Sequence, residues 1–130
     1  MEVIEFRFAF YANDFDRSVR FYRDTLGWDY RGGWSRPDGE GALLAASREA
    51  VVEIYGAAEG ETYDGPAPRA VNLAVRLQDR KAVDASYEAL LAAGVDIAEP
   101  AIDRPWGHRS FIVNDPDGIP IHIYCDLAIA

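Results

Sequence analysis

The segment NDPDGIPIHIYCD, Asn114 to Asp126, predicts a tight turn followed by an alternating β-strand. The run Asp-Pro-Asp-Gly is typical of a turn, because proline presets one backbone angle and glycine tolerates a positive one. Successive side chains of a strand point to opposite faces. One face is expected to carry Ile119, Ile121 and Ile123, and the other Pro120, His122 and Tyr124. The isoleucine face predicts contact with a core, which leaves His122 on a face that can bind something polar.

The start of the chain shows the same division into two faces. The run VIEFRFAFY alternates, with Ile4, Phe6, Phe8 and Phe10 predicted on the core face, and Arg7 and Tyr11 on the other. A helix is predicted next, because Asn13 or Asp14 can cap it and apolar residues follow at helical spacing. These apolar residues are Phe15, Val19, Tyr22 and Leu26, with Gly27 at the helix end.

The order of predicted elements occurs twice along the chain. Three strand-like runs, WDYRGGW, GALLAAS and AVVEIYG, follow the first helix, and AAEGETYDGPAPR then predicts a linker. The second half begins with the strand AVNLAVRL and the helix DRKAVDASYEALLAAG, whose inward residues are expected to be Val83, Tyr87, Leu90 and Leu91. The strands VDIAEPAI, HRSFIVN and IPIHIYC complete it. The sequence therefore predicts an α+β fold of two βαβββ modules.

The length and composition predict one domain and exclude several classes of function. The 130 residues are expected to form a single domain, with module 1 at about 1–57, a linker at about 58–69 and module 2 at about 70–126. The formal net charge of −9 disfavours binding to nucleic acid. No long apolar run predicts a membrane span, the first residues lack the pattern of a signal peptide, and Cys125 is the single cysteine. A cytoplasmic location is the default expectation.

Polar side chains on the repeated strands predict a small-molecule pocket. Each helix must cover one face of its sheet, so the opposite faces are left for binding. Arg7 and Asn72 are expected at equivalent places on the first strands of the two modules, and Glu53 and His122 on the last strands. For any one of these residues, an ion pair or a hydrogen bond without function is the simpler interpretation. The four together favour a concave site in a curved sheet.

The two most specific stretches are NDFDRSVRFYRDTLGW, Asn13 to Trp28, and RPWGHRSFIVNDPDGIPIHIY, Arg104 to Tyr124. On these stretches the chain resembles the vicinal oxygen chelate superfamily, also called the glyoxalase/bleomycin resistance/dioxygenase fold. The resemblance implies two βαβββ modules that form a cup-shaped curved mixed sheet with helices on the outer face. It also implies a homodimer whose interface helps to build the site.

The resemblance further implies metal-ligand positions at Arg7, Glu53, Asn72 and His122. Glu53 and His122 are chemically suitable metal ligands. Arg7 is not, because a guanidinium offers no lone pair, and Asn72 offers only a weak carbonyl oxygen. Since a tight zinc site needs about three good protein ligands, the departure weakens the metal-dependent interpretation. His108 or a residue of a second subunit remains a candidate for the missing ligand.

Three functions are compatible with the sequence. The first is a metal-free binding protein without a cofactor, which sequesters a cationic or aromatic ligand or drug. Its ligand-binding residues are predicted to be Arg7, Tyr11, Trp34, Glu53, Tyr55, Asn72, Trp106, His108, His122 and Tyr124. The second is an enzyme, a metal-dependent lyase, isomerase or dioxygenase that acts on a small carbonyl or vicinal-oxygen substrate. Its candidate catalytic base is Glu53, with Arg7 to hold a carboxylate or stabilise an enolate and His122 to move a proton. If a divalent metal is bound, its candidate ligands are Glu53 and His122. The third is a dimerisation or sensor module without chemistry.

Overall fold

The computed structural model describes residues 2, 4, 7–65 and 71–128. The chain divides into two compact units, residues 1–66 and 67–130. Each unit is one βαβββ module, so the predicted α+β fold of two modules is confirmed. Among the described residues, neither helix has the length and apolar sequence that a bilayer-spanning segment requires.

The first module is a four-stranded sheet with one helix between its first two strands. Its elements are β1 (Arg7–Tyr11), α1 (Phe15–Arg20), a π-helical turn (Phe21–Thr25), β2 (Asp29–Arg36), β3 (Gly39–Ser47) and β4 (Ala50–Gly56). The strand order is β1-β4-β3-β2, in which β1 pairs in parallel with β4 and the other pairs are antiparallel. The first and last strands of the module therefore lie side by side.

The second module repeats this topology. Its elements are β5 (Leu73–Arg76), α2 (Arg80–Ala92), β6 (Ile97–Asp103), β7 (His108–Asn114) and β8 (Pro120–Asp126). The strand order is β5-β8-β7-β6, again with one parallel pair, between β5 and β8. Because strand order and direction match those of the first module, the internal duplication read from the sequence is confirmed.

Both helices begin with an aspartate cap. The Asp14 carboxylate accepts a hydrogen bond from the backbone N–H of Arg17 at 3.1 Å, and Asp79 accepts one from Ala82 at 2.9 Å. Each cap satisfies a backbone donor that the helix itself cannot pair. After the helices, Gly27 and Gly94 have positive φ angles of 74° and 75°, a conformation in which glycine carries no steric penalty. The two modules thus start and stop their helices by the same local chemistry.

The helix-facing side of each sheet forms a core. In the first module the fully buried core side chains include Tyr22, Leu44 and Ile54, and in the second Val83, Phe111 and Ile121. The predicted inward positions Val19, Tyr22, Val83 and Leu90 are buried, as are Ile119, Ile121 and Ile123 after the Asp-Pro-Asp-Gly turn. Burial of large apolar side chains is the main favourable term in folding, so these faces hold each module together.

Two predicted core residues are exposed. Ile4 is 96% exposed because it precedes β1, which begins only at Arg7. Leu91 is 49% exposed because it follows the buried Leu90 and is turned about 100° around the helix from it. The prediction for Phe6 lies outside the described residues.

The turn before β8 is fixed by the buried carboxylate of Asp115. Its Oδ1 atom accepts hydrogen bonds from the backbone N–H groups of Asp117 and Ile119, both at 2.8 Å. Gly118 has a φ angle of 88° and donates its N–H to the Asp115 carbonyl at 3.0 Å. The turn predicted from the sequence is therefore confirmed, and it sets which residues of β8 face the core.

A charged network connects α2 to the edge of the second sheet. Arg80 donates two hydrogen bonds to the Asp103 carboxylate, each of 2.9 Å. Arg109 donates to Asp103 at 3.0 Å and to Asp84 at 2.6 Å. The hydrogen bonds from Arg80 and then from Arg109 hold the pKa of the Asp103 carboxyl below its ordinary value. A carboxyl with a lowered pKa stabilises the folded state only while it is ionised.

We expect Asp103→Asn to remove a contribution to the free energy of unfolding that the wild type loses in acid. Above the ordinary pKa of an aspartate the wild type has the full contribution, and it loses this contribution as the pH falls through the lowered pKa of the folded state. The variant should therefore be less stable at neutral pH, and the difference should shrink on acidification. Urea unfolding over a pH series measures this, with Asp64→Asn, an exposed aspartate outside both sheets, as the control. A difference that does not change with pH would contradict the role of the carboxylate.

Candidate functional site

A row of aromatic side chains crosses the first sheet on the face away from α1. Tyr11 on β1 pairs with Tyr55 on β4, Tyr55 pairs with Gly41 on β3, and Gly41 pairs with Trp34 on β2. The rings of Tyr11 and Tyr55 lie 5.1 Å apart, and those of Tyr55 and Trp34 lie 6.2 Å apart. We call Tyr11, Tyr55 and Trp34 the aromatic row. All three residues were predicted to bind ligand, and the register brings them together.

The absence of a side chain at Gly41 makes room for the Trp34 ring. A Cβ atom added at Gly41 would overlap the six-membered ring of the indole. The φ angle of Gly41 is not positive, so close approach rather than backbone conformation requires the glycine here. The indole therefore lies against the backbone of β3 and bridges the gap between β2 and Tyr55.

Tyr63 extends the aromatic surface and was not predicted. It lies in the segment after β4, and its ring centroid is 5.4 Å from that of Tyr11. The same segment is attached to the module at Gly65, whose N–H donates to the Asn13 side chain at 3.2 Å. The one signal in the sequence is a single tyrosine in an otherwise small and polar linker, AAEGETYDGPAPR.

A cleft of about 380 Å³ opens over this surface. A volume of this size is in the range of small-molecule sites. Its charged lining residues, among those that the structure describes, are Arg36, Asp38, Glu40 and Glu61. The lining thus contains three acidic residues and one arginine, so the cleft is acidic as well as aromatic. A neighbouring depression of about 410 Å³ shares part of this lining and adds Glu59.

Arg7, Glu53 and Tyr55 form a hydrogen-bonded chain beside the aromatic row. The Arg7 Nη1 atom lies 3.2 Å from Glu53 Oε2, and the Tyr55 hydroxyl donates to Glu53 Oε1 at 2.9 Å. The Glu53 side chain is only 13% exposed. The hydrogen bond to Glu53, together with burial, raises the pKa of Tyr55, so its phenol stays protonated and remains the donor.

This chain of contacts limits what Glu53 can do. Both of its carboxylate oxygens already accept a hydrogen bond from a protein group. These contacts use one lone pair on each oxygen, and the guanidinium of Arg7 beside the carboxylate disfavours a divalent cation at Glu53. The arrangement fits a carboxylate that orients the Tyr55 ring.

His122 occupies the place in the second module that Glu53 occupies in the first. Glu53 pairs with Ala9 across the parallel strands, and His122 pairs with Ala74 in the same way. His122 is half-buried, and Asn72 is exposed just before β5. Since Arg7 and Glu53 belong to one module and Asn72 and His122 to the other, a single site made by all four stays a prediction.

The remaining predicted residues lie in the second module. The His108 and Tyr124 rings stack with centroids 4.5 Å apart, and His108 Nε2 lies 3.3 Å from an Asp126 carboxylate oxygen. Arg76 binds the other oxygen of Asp126, also at 3.3 Å. Trp106 is 66% exposed on the turn between β6 and β7. This face therefore carries one pair of stacked rings beside the Arg76–Asp126 ion pair, whereas the first module carries a row of three aromatic rings.

Within residues 7–65 and 71–128, no three His, Cys, Asp or Glu side chains are grouped in a way that would hold a metal ion. Arg7, at the place where the resemblance implies a metal ligand on the first strand, carries a positively charged guanidinium that lies against Glu53. The donors of the first module therefore do not fit a divalent metal.

Comparison with known proteins identifies the fold. TnmS3, an antibiotic binding protein from Streptomyces sp. CB03234, superposes with a TM-score of 0.73 at 22% identity, over 97% of each chain. A lactoylglutathione lyase from Agrobacterium tumefaciens superposes with a TM-score of 0.68 at 23% identity, over 96% of this chain and 94% of the lyase. At these identities the likeness shows the fold alone, and the two proteins have different described roles.

Sequence comparison agrees with the structural likeness. The chain is 32% identical over 133 residues to the uncharacterized protein YraH of Bacillus subtilis (strain 168), which covers 95% of this chain and 98% of YraH. Residues 6–123 match the family described as the Glyoxalase/Bleomycin resistance protein/Dioxygenase superfamily. The chain therefore belongs to the glyoxalase/bleomycin resistance protein/dioxygenase superfamily.

Proposed function

We propose that this protein binds a planar, cationic small molecule in the cleft of the first module and holds it without a metal and without reaction. The observation that carries the proposal is the aromatic row lying beneath an acidic rim. Aromatic faces offer stacking surface to a planar ligand, and carboxylates around them select for positive charge.

The aromatic row supplies the contact energy. A cation over the face of tryptophan or tyrosine gains about 0.5–2 kcal/mol, depending on how far water is excluded. Tyr11 and Tyr63 are 56% and 38% exposed, so part of their ring surface is available to a ligand. Trp34 is held between Gly41 and Tyr55, and Tyr55 is oriented by Glu53. The rings therefore form a pre-organised surface, which lowers the entropy lost on binding.

The carboxylates supply the charge selectivity. Asp38, Glu40 and Glu61 line the cleft against the single guanidinium of Arg36, counting the described residues. The formal charge of the whole chain, −9, has the same sign. A negative field of this kind attracts a cation and repels an anionic substrate such as a carboxylate or phosphate.

The name of one structural neighbour points in the same direction. TnmS3 is described as an antibiotic binding protein, which is a binding function without a stated reaction. The lactoylglutathione lyase is the enzymatic counterpart on the same fold. The first module favours binding over metal-dependent catalysis. Arg7 lies where the resemblance implies a metal ligand, and its guanidinium offers no lone pair to a metal. We therefore favour binding.

We expect the protein to bind the planar cation N-methylacridinium more tightly than its uncharged analogue acridine at mildly alkaline pH. Trp34→Leu should weaken binding of the cation about three- to tenfold, because one cation–π face is lost. Tyr30→Leu, which removes an exposed ring of the same sheet outside the cleft, is the matched control. Isothermal titration gives the affinities. Equal affinity for both probes, or equal loss in both variants, would reject the site.

The acidic rim gives a second prediction. Glu40→Gln combined with Glu61→Gln should weaken binding of N-methylacridinium and reduce its dependence on salt, while acridine binding stays unchanged. Glu49→Gln, in the turn between β3 and β4 at the other end of the strands, removes one charge outside the cleft. If that control weakens binding as much per charge, the selectivity comes from the net charge of the protein and not from the rim.

The metal-dependent alternative is tested directly. Protein purified without chelator should contain less than one equivalent of bound divalent metal, and His122→Ala should leave that content unchanged. Elemental analysis of both proteins measures it. One equivalent of metal that disappears in the His122→Ala variant would favour the lyase, isomerase or dioxygenase reading instead.

A further inference from the structure

Arg36 lies in an unusual place for a site that selects cations. It is the last residue of β2 and lines the cleft. Its guanidinium carbon is 5.9 Å from the centroid of the Trp34 ring, over which it lies. Its Nε atom is 3.4 Å from a carboxylate oxygen of Asp38 in the following turn. A positive group of the protein itself thus occupies the ring that a cationic ligand would use.

The contact of Arg36 with Trp34 is the same interaction that a ligand cation would make. A guanidinium and a ligand cation are both attracted by the negative face of the indole, and they repel each other. The indole also lies against Gly41, which removes part of its surface from any ligand. Arg36 and a cationic ligand therefore compete for the surface that remains.

The surroundings of Arg36 allow its guanidinium to move away from the Trp34 ring. Its side chain is 64% exposed, so moving it into solvent breaks few contacts. Asp38 is 80% exposed and lies two residues further along the chain, so the guanidinium can keep a carboxylate partner after it leaves the ring. The displaced state is thus available at a small cost, since exposed ion pairs of this kind contribute little to stability.

We propose that Arg36 is a tethered competitor, which covers Trp34 in the free protein and is displaced by a cationic ligand. Arg36 then determines which ligands bind in the cleft, because a ligand must carry enough positive charge and ring surface to replace the guanidinium on Trp34. This inference rests on the proposed function, because it concerns the same cleft and the same class of ligand.

The test compares substitutions that change the charge at two arginines of β2. Arg36→Gln removes the competitor, and Arg36→Lys keeps a cation at the same place. Arg31→Gln is the matched control, because Arg31 also pairs at 3.4 Å with an aspartate two residues away, Asp29, but does not line the cleft. Each protein is titrated with N-methylacridinium and with acridine by calorimetry.

Arg36→Gln should bind N-methylacridinium about two- to fivefold more tightly, because the ligand no longer has to replace an exposed cation–π contact between Arg36 and Trp34. Arg36→Lys and Arg31→Gln should stay near the wild type, and acridine should gain less than the cation from Arg36→Gln, because it benefits from the uncovered ring but not from the loss of a positive charge nearby. Unchanged or weaker binding of the cation by Arg36→Gln would overturn the inference. Arg36 would then only line the cleft or would itself contact the ligand favourably. Equal tightening for both probes, or in Arg31→Gln, would overturn it as well.

A measurement without ligand separates this inference from the proposed function. In the free protein, the side-chain NMR signals of Arg36 should be shifted by the indole ring current and should move to ordinary positions in Trp34→Leu. Unshifted Arg36 signals in the wild type would overturn the inference even if the cleft binds the probe. Shifted signals in a protein that binds neither probe, in the wild-type or the Arg36→Gln form, would instead reject the proposed function.

Discussion

The parallel pairing of the first and last strands in each module is the constraint on which the candidate site depends. It places β1 beside β4 and β5 beside β8, and a parallel pair needs a long connection, here a helix and two strands. Residues far apart in the sequence then become neighbours on one face, as Tyr11 and Tyr55 do. Because the helix covers the opposite face, the remaining face is the one surface of the sheet on which a ligand can lie.

The two modules share this strand order but differ in the side chains on the open face of the sheet. Where the first has Tyr11, Tyr55, Gly41 and Trp34 in register, the second has Arg76, Tyr124, Ser110 and Ile102. Ser110 is buried and accepts a hydrogen bond from Arg104 at 2.9 Å, and Arg104 in turn pairs with Glu99 at 2.8 Å. These three polar residues of the second module thus bind one another, while the cleft of the first module contains the partly exposed rings of Tyr11 and Tyr63. For this reason our proposal puts the ligand in the first module.

Local patterns in the sequence were sufficient for the modules, the helix caps and the faces of the strands. The helix caps and the turn can be predicted from the sequence because each depends on hydrogen bonds between residues that are close in the chain. They are Asp14, Asp79 and the Asp-Pro-Asp-Gly turn. The contribution of Tyr63 could not be found in this way, since it depends on where a linker folds back onto β1. The contact between Arg36 and Trp34 depends on side-chain conformation, which alternation along a strand does not encode. Ile4 is exposed because the alternating pattern continues past the start of β1, and Leu91 is exposed because two adjacent apolar residues of a helix lie about 100° apart around its axis.

Gly41 has a consequence for how such a protein can acquire new ligands. The position contributes no atoms beyond the backbone, yet it decides whether an indole can lie across the sheet. Any side chain at Gly41 would push the Trp34 ring away from the sheet and from Tyr55. Adaptation to another ligand is therefore expected through substitutions of the surrounding aromatic and charged residues, with Gly41 unchanged. Relatives that diversify this cleft are therefore expected to vary at the positions of Tyr11, Tyr63 and Arg36 before the glycine changes. Gly41, which has no side chain, is thus the position of this sheet at which the fewest substitutions are compatible with the aromatic row.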